Sequence, residues 1–556
     1  MFREHTSHKL ETLFSHLQEL PPIMRKKLEE SWSTVFNEHV FSQIDEAPFA
    51  VLYHKDLGRP NFPVIYHVAL EFLKHWRNLT DEELLENANF NFHFLHALGI
   101  KNIGEVVFAD RTFYDFRARV YAYTIEHPDQ ADFIFGQFIK LIAHFQELLG
   151  IDASLQRMDS TQIAPYIQKA GRLALVFDVL QHAVASIPEN RRSEELAKVL
   201  TPSFKKGLLY RSRHGDVPTR LDGLLRLGDE LIQSLDSSPL VEESHYIGLL
   251  RRLLGEQAVR DEATGQLKAK LAKEVGTNSL QSAHDSDATY HNKRDVGYVG
   301  YVANIAETCA KSNPVQLITD YSVTPNTTAD VTLLQQQLPG VTERTGLKEL
   351  YVDGGYTGDA AVTTVLDCEV KLHPTDMTGT QPKAEFFHAD DFEIFEQREI
   401  LACPAGQIPL RSNENEGKVS ARFDLETCSR CEHKDICPVT FQKKHAVVHF
   451  SRKTIRAAAT RSELKENRKT NLSYRSAVEG TISSVKRGQG LNDLKVRGII
   501  RCRAATGCKM IGHNFQQLLR GLRILAVRAK KKMLETAGTI QNLVVPQAPP
   551  GFSMPD

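Results

Sequence analysis

The sequence predicts a mixed α/β core, with a helical domain before it and two insertions inside it. Three observations predict this. Short apolar runs bounded by turn residues recur at 156–163, 298–308, 315–323, 347–352 and 370–373, as strands do. Apolar positions three and four apart fill residues 1–150 and about 110 residues after the first strand, as amphipathic helices do. The later runs alternate with helical patterns, giving strand, hairpin-like pair, helix, strand, helix, strand, the order of a mixed α/β sheet.

Residues 1–150 read as a helical N-terminal domain. Leu13, Phe14, Leu17 and Leu20 form one apolar stripe, and Val68, Leu70, Phe72, Leu73 and Trp76 form part of another. Thr80 precedes a helix as its N-cap, with Glu83 at the capping-box position. Arg111-Thr112-Phe113-Tyr114-Asp115-Phe116-Arg117 opens a further helix, aromatics on one side and arginines on the other. A plain helical bundle and a DNA-binding domain fit this segment equally.

The core's first part covers 151–375, with a mostly helical insertion at 165–280. Residues 257–295 lose periodicity and read as a loop or surface excursion. Strands follow at Tyr298–Thr308 and Val315–Val323, then a helix over 328–338, a strand ending at Val352, a short helix, and a strand near Val370–His373. A Cys-rich insertion occupies 376–450. Basic helices over 451–535 form the last part of the core, and 536–556 is a proline-bearing tail expected to be disordered.

The chain of 556 residues has a net charge of −1, which hides an asymmetry. Residues 441–535 hold 23 Lys/Arg against 5 Asp/Glu, a local +18 that suits a polyanion. No apolar run approaches the roughly 18 residues of a membrane span. Met1-Phe2-Arg3-Glu4-His5 lacks a signal-peptide core, so an intracellular protein is expected.

Three carboxylates stand out. On the last basic stretch, Arg475, Glu479 and Lys486 are spaced Arg-x3-Glu-x6-Lys. At 100° per residue, Arg475 and Lys486 fall within about 40° and 20° of Glu479, so one helix face shows a carboxylate between two cations. Asp353 ends an apolar strand and is followed by Gly354-Gly355, where the backbone can turn sharply beside a bulky ligand. Asp159 sits in the first strand before Ser160-Thr161. Three acids from two strands and a helix are the protein's minimum share of a two-metal phosphate-transfer site, since Mg²⁺ takes one or two carboxylates and fills its shell with water and phosphate.

Cys403, Cys428, Cys431 and Cys437 cluster as Cys-Pro…Cys-x2-Cys-x5-Cys. In a chain without a secretion signal this favours a structural Zn²⁺ that folds a zinc-ribbon-like insertion; reduced thiols packed in a small core are the alternative. His284, Asp285, Asp287 and His291 read as ordinary loop polarity, and Cys502 and Cys508 as buried thiols.

Met158-Asp159-Ser160-Thr161, Tyr351-Val352-Asp353-Gly354-Gly355-Tyr356 and Arg475-x3-Glu479-x6-Lys486 together resemble bacterial insertion-sequence transposases with a DDE core. Arg487-Gly488-x-Gly490-Leu491, Arg497-Gly498 and Asn514 resemble that family's closing region, and Thr112–Arg117 the end of its helical N-terminal domain. A related branch carries a similar four-cysteine insertion. The family often places a tyrosine three residues before the arginine; Leu472 stands there, and Tyr474 lies beside Arg475 instead.

The resemblance implies an RNase H-like core in which Asp159, Asp353 and Glu479 hold two Mg²⁺ or Mn²⁺ ions. It implies that Arg475, Lys486, Arg487 and Arg497 contact DNA. The implied function is cleavage and strand transfer at terminal inverted repeats of double-stranded DNA, by a homodimer on DNA, in the bacterial cytoplasm at the nucleoid. A nuclease without strand transfer and a domesticated DNA-binding protein with an inactive core are the alternatives.

Overall fold

The computed structural model describes residues 1–6, 15–130, 132–210, 214–237, 244–293, 295–378 and 382–543. Along the chain run helices α1 (Pro22–Glu29), α2 (Trp32–His39), α3 (Val64–Arg77), α4 (Asp81–Phe90), α5 (Phe92–Ala97), α6 (Asp110–Glu126) and α7 (Phe133–Leu149). Strand β1 (Leu155–Ile163) follows, then α8 (Arg172–Ala185), α9 (Glu194–Val199), α10 (Pro202–Lys205), α11 (Val217–Asp236) and α12 (His245–Gln257). Next come β2 (Ala258–Arg260), β3 (Leu267–Ala269), β4 (Thr289–Lys293), β5 (Val296–Thr308), β6 (Ile318–Pro325), α13 (Asp330–Thr345), β7 (Glu349–Val352), α14 (Asp359–Asp367) and β8 (Lys371–Pro374). The Cys-rich stretch holds β9 (Glu393–Phe395), β10 (Glu399–Ala402), β11 (Arg411–Asn415), β12 (Lys418–Phe423), α15 (Leu425–Ser429), β13 (Thr440–Phe441) and β14 (Ala446–Ser451). Two long helices, α16 (Arg452–Gly488) and α17 (Ile499–Leu543), complete the series. The fold is mixed α/β, and no helix among the described residues is long and apolar enough to cross a membrane.

The chain divides into two compact units. The first comprises Met1–Ala153, Ser160–Thr328 and Thr481–Asp556. Its centre is α3, buried without interruption from Val64 to Phe72 and Leu73. Asn78 in the left-handed region ends α3, and the Thr80–Glu83 capping box starts α4 as the sequence predicts. Helix α17 packs on α3 and α7. Gly512 makes that approach possible, because a Cβ there would lie 2.8 Å from Trp76 Cα. Asn514 ties α17 to β6: Ile318 N donates to its Oδ1 at 2.9 Å, and its Nδ2 donates to Ile318 O at 2.8 Å. Strands β4, β5 and β6 pair antiparallel, and α8–α12 enclose a separate core around Phe177, Leu180, Leu225 and Leu253.

The second unit comprises Ser154–Asp159 and Ala329–Gly480. Here β1 pairs in parallel with β7, with Leu155, Gln156 and Arg157 opposite Glu349, Leu350 and Tyr351. Strand β7 pairs in parallel with β8 on its other side. The Cys-rich module is a four-stranded antiparallel sheet, β11-β12-β14-β13, with a β9–β10 hairpin. Its core of Ile400, Val419, Phe423, Val448 and Phe450 extends onto Ile455 and Ala458 at the start of α16.

Several expectations need correction. Leu17 and Leu20 lie in a turn, not a helix, because Pro21-Pro22 lets α1 begin only at Pro22; Leu13 and Phe14 lie outside the described residues. The stretch 257–295 is not a plain loop: it contains the β2–β3 hairpin and β4, strands too short and too exposed to show alternation. There Asp285 and Asp287 serve structure, accepting from Gly498 N at 2.8 Å and Ile499 N at 3.3 Å at the start of α17. Helix α13 continues past 338 to Thr345 through Pro339. Helix α17 continues past 535 to Leu543, while the rest of the expected tail, 544–556, lies outside the described residues.

Replacing Asn514 by Ala strands two buried backbone groups and is expected to lower stability by about 2–4 kcal/mol, read as a lower urea midpoint. Burial pushes the imidazoles of His67, His75 and His513 from 6.5 down to about 4. The unfolded chain therefore binds up to three more protons than the folded one between about pH 4 and 6.5, so stability falls as pH drops through that window and is flat in these groups above it. A thermal melting series from pH 7.5 to 4.5 checks the slope, which His513→Asn should reduce by about one proton.

Candidate functional site

The geometry around the three sequence-selected acids begins with the β1–β7 register. Side chains alternate along a strand, so Arg157 and Asp159 share one face of β1, as Tyr351 and Asp353 share one side of the β7 end. Since Arg157 is the partner of Tyr351, Asp159 and Asp353 stand opposite one another two residues past the last ladder pair. Asp159 lies mid-strand in β1 rather than at a strand end, as β1 runs on to Ile163. Asp353 does end its strand. Its Oδ1 accepts from Gly355 N at 2.8 Å, which fixes the carboxylate as the cap of a turn.

Helix α16 is held across these strand ends by several side chains. The Tyr474 ring stacks on Tyr351 at 4.5 Å, and Tyr351 stacks in turn on His373 at 4.7 Å. Arg157 Nη1 donates to Tyr474 O at 3.0 Å, and Asn471 Nδ2 to Pro374 O at 2.9 Å. Arg461 pairs with Asp390 through two 2.6 Å bonds, fixing the helix to the Cys-rich module. Tyr474 is thus a packing residue of α16, while Leu472, in the position the related family often gives to tyrosine, is exposed. Arg157 was not singled out from sequence, and Tyr351 only as part of the motif around Asp353, although their two-residue spacing from the aspartates carried the signal.

This framework brings Glu479 to the two aspartates through Arg475. Arg475 Nη2 lies 3.0 Å from Asp159 Oδ2 and 3.5 Å from Asp353 Oδ2, and its Nη1 lies 3.0 Å from Glu479 Oε1. The side chains grade outward: Asp159 is 11% exposed, Asp353 36% and Glu479 64%, so the cluster opens toward solvent on the Glu479 side. Burial lowers the Arg475 pKa, but Asp159, Asp353 and Glu479 outweigh it and raise it above its ordinary value. One guanidinium against three carboxylates leaves negative charge in excess. The Arg475 guanidinium touches all three acids, and their all-oxygen donor set suits a divalent metal in chemistry, while their present spacing is wider than one ion spans.

Asp330, at the start of α13, is a further carboxylate that sequence reasoning missed. A Cβ on Gly355 would lie 2.6 Å from Asp330 Oδ2 and 3.0 Å from Asp353 Oδ1, so the glycine is needed for room between two acids. Nothing in the local sequence links residue 330 to 353; only the packing of α13 does.

The other predicted residues fall elsewhere. Lys486, seven residues beyond Glu479 on α16, belongs to the first unit; burial, then the nearby Lys293, lowers its pKa. Arg487 and Arg497 are exposed, and the Arg497 guanidinium lies 5.9 Å from the Tyr166 ring centre. Arg117 is not on an open arginine face: it donates to Glu71 and, at 2.9 Å twice, to Asp81.

Cys403, Cys428, Cys431 and Cys437 line one small cavity with Phe392, Phe423 and His433. Burial, and then Cys403, Cys437 and Cys431, push the Cys428 thiol up to about 11. Gln407 N points at Cys403 Sγ from 3.4 Å. Burial keeps the Cys428 thiol protonated, and no three of the four sulfurs lie within 4.8 Å of one another. Among the described residues, the one group of three potential ligands whose donor atoms all lie within 4.8 Å of one another is Glu71, His75 and Cys508. Arg117 already supplies the positive charge there.

Gly355→Ala forces Asp330 and Asp353 apart and is expected to destabilise the second unit by about 1–3 kcal/mol, seen as a lower melting temperature.

Two family matches accompany this geometry. A transposase DDE domain matches residues 402–519, which include Arg475, Glu479, Lys486 and all four strands of the Cys-rich sheet with all four cysteines. A transposase domain (DUF772) matches residues 23–119, the helical bundle from α1 into α6. Asp159 and Asp353 lie between the matched segments. No curated protein and no solved structure matches the chain. Two transposase family models match one chain, one of them at the helix that carries Glu479, and together they indicate a DDE transposase of the insertion-sequence type.

Proposed function

We propose that the protein cleaves DNA at the terminal inverted repeats of its element and transfers the freed strand to target DNA, with Asp159, Asp353 and Glu479 as metal ligands. The observation that carries this reading is the convergence of all three acids on one guanidinium, from the middle of one strand, the end of its neighbour and a crossing helix. The parallel strands β7 and β8 beside β1 support the RNase H-like reading.

Two Mg²⁺ or Mn²⁺ ions held there would activate the attacking hydroxyl and stabilise the leaving oxygen of an in-line displacement. The chain's own residues orient the reaction. Asp159, the least exposed, anchors the site, and Asp353 is fixed by Gly355 N. Glu479 lies on the open side, where a DNA backbone approaches. Arg475, Lys486, Arg487 and Arg497 supply phosphate contacts, which position DNA without reading its sequence.

The helical residues 1–150 and the basic residues 451–535 recognise the repeats. Two ends must be joined, so the working form is a homodimer on DNA, acting in the cytoplasm at the nucleoid. The four cysteines hold a structural Zn²⁺ that consolidates residues 376–450.

Asp353→Asn is expected to reduce Mg²⁺-dependent cleavage of element-end DNA by about a thousandfold or more while the fold persists. Unchanged cleavage would remove the proposed site. Incubating a pre-cut end with supercoiled target separates the chemistries: joined product marks a transposase that completes strand transfer, and cleavage alone marks a nuclease. Metal analysis of the purified protein should find about one zinc per chain, lost on Cys431→Ser; less than about half an equivalent in the wild type would exclude the Cys₄ site.

A further inference from the structure

The Arg475 guanidinium contacts Asp159, Asp353 and Glu479 at once, with its side chain only 14% exposed. It stands among the groups that a divalent ion would need. Two oxygens on one Mg²⁺ lie at most about 4.2 Å apart, given metal–oxygen distances of 2.0–2.1 Å. The three carboxylates are splayed wider than that: their donor atoms do not all come within 4.8 Å of one another. The guanidinium thus props the acids around itself. A guanidinium and a divalent cation repel, so they cannot share this space unless an anion joins them.

The arginine's pose also leaves a donor unused. Arg475 Nε is buried and has no hydrogen-bond partner. A guanidinium offers five donors in a planar fork that matches a phosphate as well as a carboxylate. Moving to a DNA phosphate would let Nε pair and would release three carboxylates together. The motion needs only side-chain rotation, since α16 is held independently by Tyr474, Asn471 and Arg461.

We propose that Arg475 is a resident counter-cation of the metal site, which withdraws only when a DNA phosphate takes its guanidinium, so that divalent metal and DNA load the site together. The inference rests on the reading of the three acids as metal ligands. Its consequence is reciprocal: DNA must tighten metal binding by the same factor as metal tightens DNA binding.

Calorimetric titration of Mn²⁺ into the full-length protein tests this, with Arg475→Gln as the main variant and Arg475→Met as a second of similar volume. Circular dichroism of each confirms the fold. Without DNA, both variants should bind Mn²⁺ at least tenfold more tightly than wild type, and Asp353→Asn should abolish that binding in either background. A 20-base-pair duplex of arbitrary sequence should tighten Mn²⁺ binding to wild type and leave the variants' affinity unchanged. Mn²⁺ binding that is lost in Asp353→Asn but equal in wild type and the Arg475 variants would overturn the counter-cation role while leaving the metal site standing. So would equal tightening by duplex in all of them. Mn²⁺ binding indifferent to Asp353→Asn would remove the metal reading itself, and this inference with it.

Discussion

The acidic cluster depends on the register of one short parallel ladder. Arg157 opposite Tyr351 places Asp159 opposite Asp353, and also sets the surface on which Tyr474 lies. A slip of one residue would turn Asp159 to the other face, because successive side chains point oppositely. The register is secured by buried residues on both strands, among them Gln156, Met158, Leu350 and Val352. It is also secured by Lys348 N and Glu349 N, which both bond Ser154 O at the ladder's entrance.

A helix then has to lie across that ladder with an acid at the right turn. The anchors on α16 differ in kind: an ion pair at Arg461, an amide at Asn471, a ring stack at Tyr474 and a backbone acceptor at Tyr474 O. The helix is strongly basic, and most of its charge stays at the surface. Arg475 turns inward because three carboxylates outweigh its desolvation. The exposure gradient from Asp159 to Glu479 makes the inner acid rigid and the outer one adaptable. This suits a site whose outer side must meet a large polyanion.

Much of this was legible in the sequence. The five strand runs, the Thr80 cap and the basic helical end carry local signals, and the structure contains each of them. The three acids were legible through their motifs, and the structure brings them together. What escaped were features made by distant packing. Asp330 gains its place only through the seating of α13 against the Gly354-Gly355 turn. Tyr474 could not be assigned to packing without knowing that Tyr351 lies beneath it. Strands β2, β3 and β4 were missed because short, half-exposed hairpins lack the alternation that marks a buried strand. The inward turn of Arg117 depends on Glu71 and Asp81, 46 and 36 residues away.

The second unit takes six residues from Ser154–Asp159 and everything else from beyond Ala329. Its defining contact, Arg475 to Asp159, joins groups 316 residues apart in the chain. At ribosomal rates of about 5–20 residues per second, roughly 15–60 s separate the synthesis of these two side chains. The insertion core around Phe177 and Leu225 is synthesised whole within that interval, while the aspartates have no helix to meet. A nascent or prematurely terminated chain that stops short of α16 can therefore fold its early parts without ever assembling the cluster of three acids around Arg475.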